Sequence, residues 1–221
     1  MVASVARHVQ RWRESSMLVL LVLLLMAVFV VPNFIHMARD ARVVDDVLIT
    51  LILVSGVVAV TEHQRLAVAL AVLSVVVVVL RWGTWFAPQD IVHAFRNLSV
   101  LGALLVLACA VGINVFAVGH AVRDRLFGAV VLYLLLGLIW AVAYAILDAQ
   151  VPGAFAGLPR ADRSIADWAY FSFVTLTTVG YGDITPVARL ARTLAILEAL
   201  VGQLYPAVII ARLVSLQVSK V

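Results

Sequence analysis

The residues most able to do chemistry form a short run, Thr-Val-Gly-Tyr-Gly, at positions 178–182. Glycine adopts positive φ angles at little cost, so Gly180 and Gly182, at alternate positions, permit a backbone whose twist alternates along the chain. Such a backbone can turn successive carbonyl oxygens toward one side, where they replace the water around a cation in a narrow passage. The hydroxyl of Thr178 adds an oxygen at one end of the row. The residue types of the run are therefore compatible with a backbone that offers its oxygens to a cation.

The segment before this run predicts a short helix that ends at it. Residues 165–177 are apolar and aromatic, and Ser164 or Asp167 is suited to cap the first turn. The aromatic side chains are Trp168, Tyr170, Phe171 and Phe173. The C-terminal end of a helix carries partial negative charge, which favours a nearby cation. Pro186 follows the run and is typical of the start of the next helix.

The composition indicates a membrane protein. Of 221 residues, 65% are apolar and 13% are charged, whereas soluble domains have about 45–50% and about 25%. A soluble enzyme, a disordered chain and a nucleic-acid-binding module all fit these values poorly. The net charge of +4 comes from basic residues scattered between apolar runs, without the stripe that binds nucleic acid. The sequence shows no nucleophile–base pair and no metal cluster, so we expect neither an enzyme nor a cofactor.

Six stretches almost free of charged residues predict six transmembrane helices. They are residues 15–38, 47–61, 66–80, 97–122, 126–147 and 193–211. The second and third are short for a crossing but can be extended past their charged neighbours; a buried soluble hairpin is the alternative for this pair. The first resembles a signal peptide in its preceding arginines, but its length and the lack of a small-residue cleavage site favour a retained span. The loop at 148–186 is too long for a passive turn.

The run TVGYG, placed between two apolar spans and after an aromatic helix, resembles the selectivity filter of potassium channels in the tetrameric cation-channel superfamily. We call residues 178–182 the filter run. The resemblance implies an all-α integral membrane protein with six transmembrane helices, a re-entrant pore helix and a selectivity filter. Because each chain carries one filter copy, four chains are needed to close a ring, which implies a homotetramer. It also divides the chain into a four-helix N-terminal transmembrane region, 1–122, and a pore domain, 126–219.

By the same resemblance, oxygens of four residues coordinate potassium: Thr178, Val179, Gly180 and Tyr181. Residues expected to support the filter are Thr177, Tyr170, Phe171, Gly182 and Asp183. Tyr181 is expected to brace the filter against Tyr170 or Phe171. Asp183 is expected at the extracellular mouth, with an ordinary turn or helix-start acid as the alternative. Val174 stands where some bacterial relatives have a glutamate behind the filter. Potassium is the permeant species, and no cofactor is implied.

Three residues of the last span are gating candidates. Glu198 is an acid inside a span, where charge is expensive and marks function by default. It supports the filter through Thr177, faces the cavity, or makes a structural hydrogen bond, and we expect a change to Gln to alter open probability or ion binding. Gly202 lies where the family often has a hinge glycine, and Pro206 removes a helical hydrogen bond one turn later. Close packing is the alternative to a gating role.

The resemblance implies passive, potassium-selective conduction. Residues 97–122 contain no Arg or Lys, so the charges that move in the membrane field of voltage-gated members are missing and little voltage dependence is expected. Few residues follow the last span in this sequence, so a nucleotide-binding domain is not expected. An even number of spans and an outward-facing filter imply two cytoplasmic termini in the cell membrane. Basic residues are divided equally between the two sides, so they do not set the orientation.

Three other functions fit parts of the sequence. A non-selective cation channel shares the mechanism, but the intact Tyr181 favours selectivity. Potassium transporters contain filter-like loops, but as several degenerate copies in one chain. A non-conducting membrane sensor that kept a pore module is the third alternative, and the first four spans then serve as a sensor rather than a packing collar.

Overall fold

The computed structural model describes residues 16–30, 41–59, 64–83, 89–116, 122–159 and 163–218. Within these ranges the helices are α1 Ser16–Val30, α2 Ala41–Ala59, α3 Gln64–Gly83, α4 Gln89–Phe116, α5 Val122–Gln150, α6 Ile165–Leu176 and α7 Arg189–Val218. The last five residues of α1, Met26–Val30, are π-helical. Two short strands, β1 Phe155–Ala156 and β2 Thr185–Pro186, flank α6. The chain forms two compact units, and the boundary falls between Leu135 and Leu136, inside α5.

In the first unit, α2, α3 and α4 pack against one another. Their contact is apolar and close: a Cβ on Gly56 of α2 would come within 2.8 Å of the Leu107 side chain of α4. Leu53, Leu70 and Leu107 are almost fully buried. Interdigitated apolar side chains therefore hold this helical group together.

The two helices predicted from short apolar stretches are longer than those stretches. Helix α2 begins at Ala41 and α3 ends at Gly83, so each includes charged residues. Arg81 of α3 donates a hydrogen bond to Asp46 of α2, and the two side chains are 11% and 7% exposed. This ion pair lets both helices continue past charges that the apolar pattern treats as boundaries.

Three of the described helices contain segments long and apolar enough to cross a membrane. These segments are Arg96–Phe116, Arg125–Gln150 and Arg189–Arg212. Shorter apolar helices occupy Ser16–Val30, Asp46–Ala59 and Ala67–Gly83. The last three predicted spans thus coincide with candidate crossings, while a crossing by the first three stays a prediction. Parts of the predicted spans, at 15, 31–38, 60–61 and 117–121, lie outside the described residues.

In the second unit, α6 packs against α7 and the two short strands pair. The strands are antiparallel, with Phe155 opposite Pro186 and Ala156 opposite Thr185. The all-α expectation misses this ribbon, because two-residue strands show no alternating pattern of apolar residues. The ribbon joins the loop before α6 to the segment that follows the filter run.

Candidate ion-binding site

Helix α6 begins where the sequence predicts. Ser164 is the N-cap, and the Asp167 carboxylate accepts hydrogen bonds from the Ser164 backbone N–H at 2.8 Å and the Ser164 hydroxyl at 2.7 Å. The helix is then held by a cluster of aromatic rings in edge-to-face contact: Tyr144, Phe155, Trp168 and Phe171. Centroids of the closest pair, Phe155 and Trp168, are 4.7 Å apart. The direction of α6 is therefore fixed by its cap and by this cluster.

The chain that leaves α6 folds back onto the last turn of the helix. The backbone N–H groups of residues 177–180 all donate to carbonyl oxygens of that turn. The bonds run from Thr177 to Phe173 at 3.0 Å, from Thr178 to Thr175 at 2.9 Å, and from Val179 and Gly180 to Val174 at 2.9 and 3.3 Å. Carbonyl groups at a helix end lack intrahelical donors. The start of the filter run supplies those donors, so the helix end and the run fix each other.

These bonds also set the direction of the carbonyl groups. In a trans peptide, the C=O of one residue points opposite to the N–H of the next, and none of the described peptide bonds is cis. Since the N–H groups of 178–180 point at α6, the carbonyl oxygens of Thr177, Thr178 and Val179 point away from it. Within the part of the chain that the structure describes, no donor bonds to a carbonyl oxygen of residues 177–181. The filter run thus presents unpaired oxygens on its free side.

The backbone of the filter run alternates as the glycines predict. Gly180 and Gly182 have φ angles of 58° and 81°. Thr178 also has a positive φ, 61°, and it is the non-glycine residue with positive φ in the described chain. A threonine in this conformation is strained by about 1–3 kcal/mol. The residue type of Thr178 does not indicate a positive φ. The spacing of Gly180 and Gly182 does, because position 178 continues the same two-residue interval.

The polypeptide after the filter run is held by side chains. The Tyr170 hydroxyl donates to Asp183 Oδ2 at 2.7 Å. This bond is the main reason that the pKa of Asp183 lies below its usual value. The Asp183 carboxylate therefore ties the exit of the run to α6, while its place at an extracellular mouth stays a prediction.

Gly157, which no pattern in the sequence marks out, lies against the Asp183 backbone. Gly157 follows β1 and has a φ of 113°, and a Cβ there would overlap the carbonyl oxygen of Asp183. The absence of a side chain lets the loop lie directly against the chain beyond the filter run. The Gly- and Pro-rich composition of the loop indicates turns but does not identify the glycine that makes this contact.

Arg163 fastens the loop from the other side. Its guanidinium forms an ion pair with Asp148 Oδ1 at 2.5 Å and donates to the carbonyl oxygens of Phe155 at 3.0 Å and Leu158 at 2.7 Å. It also lies over the Trp168 ring, 5.7 Å from its centroid. The Arg163 side chain is only 10% exposed. Arg163 is therefore a buried crosslink between parts of the loop and not a solvated surface charge.

The predicted brace by Tyr181 is not seen within the single chain and stays a prediction. Tyr181 is 73% exposed, and it makes no ring contact with Tyr170 or Phe171 among the described residues. Both expected partners are engaged elsewhere: Tyr170 bonds to Asp183, and Phe171 packs in the aromatic cluster. Thr177, also expected as support, donates its hydroxyl to the Phe173 carbonyl at 2.6 Å and closes the end of α6.

The two backbone candidates on α7 differ in their surroundings. Gly202 is buried, and a Cβ there would overlap the carbonyl oxygen of Leu176 at the end of α6. The packing alternative therefore describes Gly202 in this structure. Pro206 lies inside α7 and has no N–H for the carbonyl of Gly202 four residues earlier. A role for either residue in gating stays a prediction.

Glu198 lies neither against Thr177 nor on an open surface. It is fully buried. Its Oε2 accepts a hydrogen bond from the Tyr144 hydroxyl at 2.6 Å, and its Oε1 lies 2.5 Å from Ser172 Oγ. Glu198 thus contacts neither Thr177 nor a cavity, but two hydroxyl groups, one on α5 and one on α6. Helical spacing within α7 could not reveal these partners, because they lie on other helices.

Comparisons with known proteins place this region among ion channels. Residues 128–218 match the family model described as "Ion channel". Protein LctB of Bacillus caldotenax is 42% identical over 96 residues, which cover 41% of this chain and 71% of LctB. The two pore potassium channel c of Oryza sativa subsp. japonica is 39% identical over 75 residues, 34% of this chain and 16% of that protein.

The inward rectifier potassium channel Kirbac3.1 of Paramagnetospirillum magnetotacticum is also 39% identical, over 73 residues that cover 33% of this chain and 23% of that channel. No solved structure matches the chain. The matches thus span most of LctB but only a small part of each named potassium channel. These matches show that this non-enzymatic chain belongs to the potassium channel family.

Proposed function

We propose that this chain is a potassium-selective channel whose pore is lined by main-chain oxygens of Thr178, Val179, Gly180 and Tyr181. The observation that carries the proposal is the row of unpaired carbonyl oxygens along the filter run. These residues are exposed in the single chain. Once neighbouring chains enclose the row and exclude water, a carbonyl without a donor is costly, so the row needs another partner. A cation that has lost its water supplies that partner.

The backbone of the run supports selectivity. The sign of φ alternates along the run, since φ is positive at residues 178, 180 and 182 and not at those between them. This alternation allows successive carbonyl oxygens to point to the same side. Anchoring of the run to α6 through the N–H groups of its first three residues limits the freedom of those oxygens. A row held at fixed spacing favours one size of ion over a smaller one, although field strength of the oxygens also contributes.

The proposal requires four chains. One filter run covers one side of an ion, and a closed cyclic ring of identical chains completes the coordination. Helix α7 is compatible with this assembly because many of its large apolar side chains are exposed in the single chain, among them Ile196, Leu200 and Leu204. We propose that α7 lines the pore and that six helices cross the cell membrane with both termini in the cytoplasm.

Gating by voltage is not part of the proposal. The apolar segment of α4 after Arg96 carries no basic residue as far as Phe116, so it offers no row of charges for the membrane field to move. Planar-bilayer recordings of the purified protein, with no blocker present, should give a conductance that varies little with voltage. A steep conductance–voltage curve would contradict this part.

Reconstitution in liposomes tests the proposed function. Potassium and rubidium should pass, sodium should be excluded, and barium should block. Equal flux of sodium and potassium would favour a non-selective cation channel. Flux of a fixed number of ions per cycle would favour a transporter, and an intact tetramer without flux would favour a sensor.

Two glycines allow a matched control. Gly180 and Gly153 have φ angles of 58° and 81°, and a Cβ would meet nothing within 4 Å at either position. Gly180→Ala and Gly153→Ala therefore impose similar backbone strain, about 1–2 kcal/mol, but Gly153 lies in the loop before β1. Loss of potassium selectivity in Gly180→Ala, with Gly153→Ala unchanged, is expected. Equal potassium selectivity in the two variants would mean that the filter run does not determine which ions pass.

A further inference from the structure

A buried hydrogen-bond network joins three helices of the second unit around Glu198. The acid is on α7, Tyr144 is on α5 and Ser172 is on α6, and all three are fully buried. Tyr144 donates to Glu198 Oε2 at 2.6 Å. Ser172 Oγ lies 2.5 Å from Glu198 Oε1 and 2.7 Å from the carbonyl oxygen of Gly137 on α5.

Counting hydrogens shows which group must donate. A serine hydroxyl has one hydrogen, while a carbonyl oxygen and an ionised carboxylate have none. If Glu198 were ionised, Ser172 would face two acceptors with one hydrogen, and one short O···O contact would hold no hydrogen. If Glu198 carries a proton on Oε1, it donates to Ser172, and Ser172 donates to Gly137. Every contact in the network then has one hydrogen.

The surroundings of the acid agree with that count. Both of its hydrogen-bond partners are uncharged hydroxyl groups, and no Lys or Arg among the described residues pairs with it. Tyr144 itself packs against Trp140, Phe155 and Phe171. An ionised carboxylate buried without a counter-charge costs several kcal/mol, and the cost is higher in a segment that crosses a membrane.

The network lies next to the anchor of the filter run. Ser172 is two residues before Val174, whose carbonyl accepts the N–H groups of Val179 and Gly180. One turn further along α7, Gly202 contacts the carbonyl of Leu176. Helix α7 therefore meets α6 through a hydrogen bond and through a close backbone contact, and both contacts are near the residues that orient the filter oxygens.

We propose that Glu198 is a neutral carboxylic acid that donates its proton to Ser172 and acts as a positioning residue, holding the pore helix α6 against α5 and α7. This inference rests on the proposed channel function for its consequence, since the part positioned is the filter run. It also revises the expectation for Glu198→Gln. The glutamine NH₂ can donate to Ser172 while its oxygen accepts from Tyr144, so this variant keeps the network.

Infrared spectroscopy of the protein in liposomes tests the protonation directly. At neutral pH, the wild type should show the C=O stretching band of a protonated carboxylic acid, and Glu198→Gln should lack it. The band should shift in Ser172→Ala and in Tyr144→Phe, because each removes one partner of the acid. A wild-type spectrum without this band, or a band unchanged in Glu198→Gln, would overturn the proposal.

Ion flux tests the positioning role with matched variants. Glu198→Ala and Ser172→Ala should lower the potassium-over-sodium permeability ratio about tenfold, the effect of about 1.4 kcal/mol, while Glu198→Gln keeps the ratio. Ser74→Ala is the control, because Ser74 is also a buried helical serine but bonds only to the Leu70 carbonyl of its own helix, at 2.6 Å. A normal ratio in folded Glu198→Ala would refute the positioning role. Absence of flux in the wild type would refute the channel function and leave the infrared result standing.

Discussion

The two ends of the filter run are held in different ways. At the N-terminal end, the backbone N–H groups of the first three residues of the run bond to backbone carbonyls at the end of α6. At the C-terminal end, the attachments depend on residue type: the Tyr170 hydroxyl bonds to Asp183, and Gly157, which has no side chain, lies against the Asp183 carbonyl. Arg163 in turn fastens the loop that carries Gly157. The N-terminal end is therefore held by the backbone of α6, and the C-terminal end by particular residue types.

This difference has a consequence for substitutions. Backbone bonds survive a change of side chain, whereas a side-chain attachment is lost with its residue. We expect the N-terminal end to tolerate substitution and the C-terminal end to be sensitive to it. The following variants test that contrast.

The largest effect is expected from Gly157→Ala. The new Cβ would overlap the Asp183 carbonyl at a φ of 113°, adding overpacking of about 1–3 kcal/mol to backbone strain of about 1–3 kcal/mol. Unfolding in detergent micelles should show a loss of about 4 kcal/mol, with loss of potassium flux. Gly153→Ala, which adds strain without a contact, is the control, and equal losses in the two variants would argue against the close approach.

Arg163→Ala should have the next largest effect. It removes the guanidinium that pairs with the buried Asp148 carboxylate and donates to two carbonyl oxygens, and breaking a buried pair costs about 3 kcal/mol or more. Arg163→Ala combined with Asp148→Asn should recover part of that loss in the same unfolding measurement.

Arg192 provides the matched arginine for this variant. It is exposed, and its Nε donates to the Pro186 carbonyl at 3.2 Å, so Arg192→Ala should cost about 1 kcal/mol or less. A loss in Arg163→Ala no greater than in Arg192→Ala would mean that the crosslink does not stabilise the loop.

Tyr170→Phe and Asp183→Asn should have a smaller effect, visible in selectivity rather than in folding. Each removes or weakens the same exposed hydrogen bond, so the potassium-over-sodium permeability ratio should fall to a similar degree in both. The double variant should behave like the single ones, because the bond can be lost only once. Additive effects would show that the two residues act separately.

The smallest effect is expected at the N-terminal end. Thr177→Val removes the hydroxyl that donates to Phe173, but the Thr177 N–H still donates to the same oxygen. Val174→Ala keeps the carbonyl that accepts from Val179 and Gly180. Potassium selectivity should be unchanged in both variants, and a large loss in either would contradict the contrast between the two ends.

Local sequence signals predicted the elements of the site well. The Ser164 cap, the aromatic helix and the positive φ of Gly180 and Gly182 each depend on residues within a few positions of one another. The apolar stretches likewise predicted where the helices lie. Their ends were less predictable, because the Asp46–Arg81 pair that extends α2 and α3 joins residues 35 positions apart.

Long-range partners were not predictable from the pattern. Nothing near Glu198 in the sequence indicates Tyr144, 54 residues away, or Ser172, 26 residues away. Arg163 and Asp148 look like ordinary loop charges until the loop closes and buries both. Tyr181 was expected to brace α6, but its candidate partners are occupied by Asp183 and by the aromatic cluster. These contacts depend on how the helices pack, which periodicity does not record.

The central claim is that main-chain oxygens of residues 178–181 replace the water of a potassium ion at the axis of four chains. Anomalous diffraction from crystals of the tetramer grown in rubidium, with sodium-grown crystals for comparison, tests it most directly. We predict a row of rubidium peaks on the fourfold axis beside these residues, absent in sodium. A tetramer with no peaks there, or a filter run folded away from a shared axis, would contradict the account.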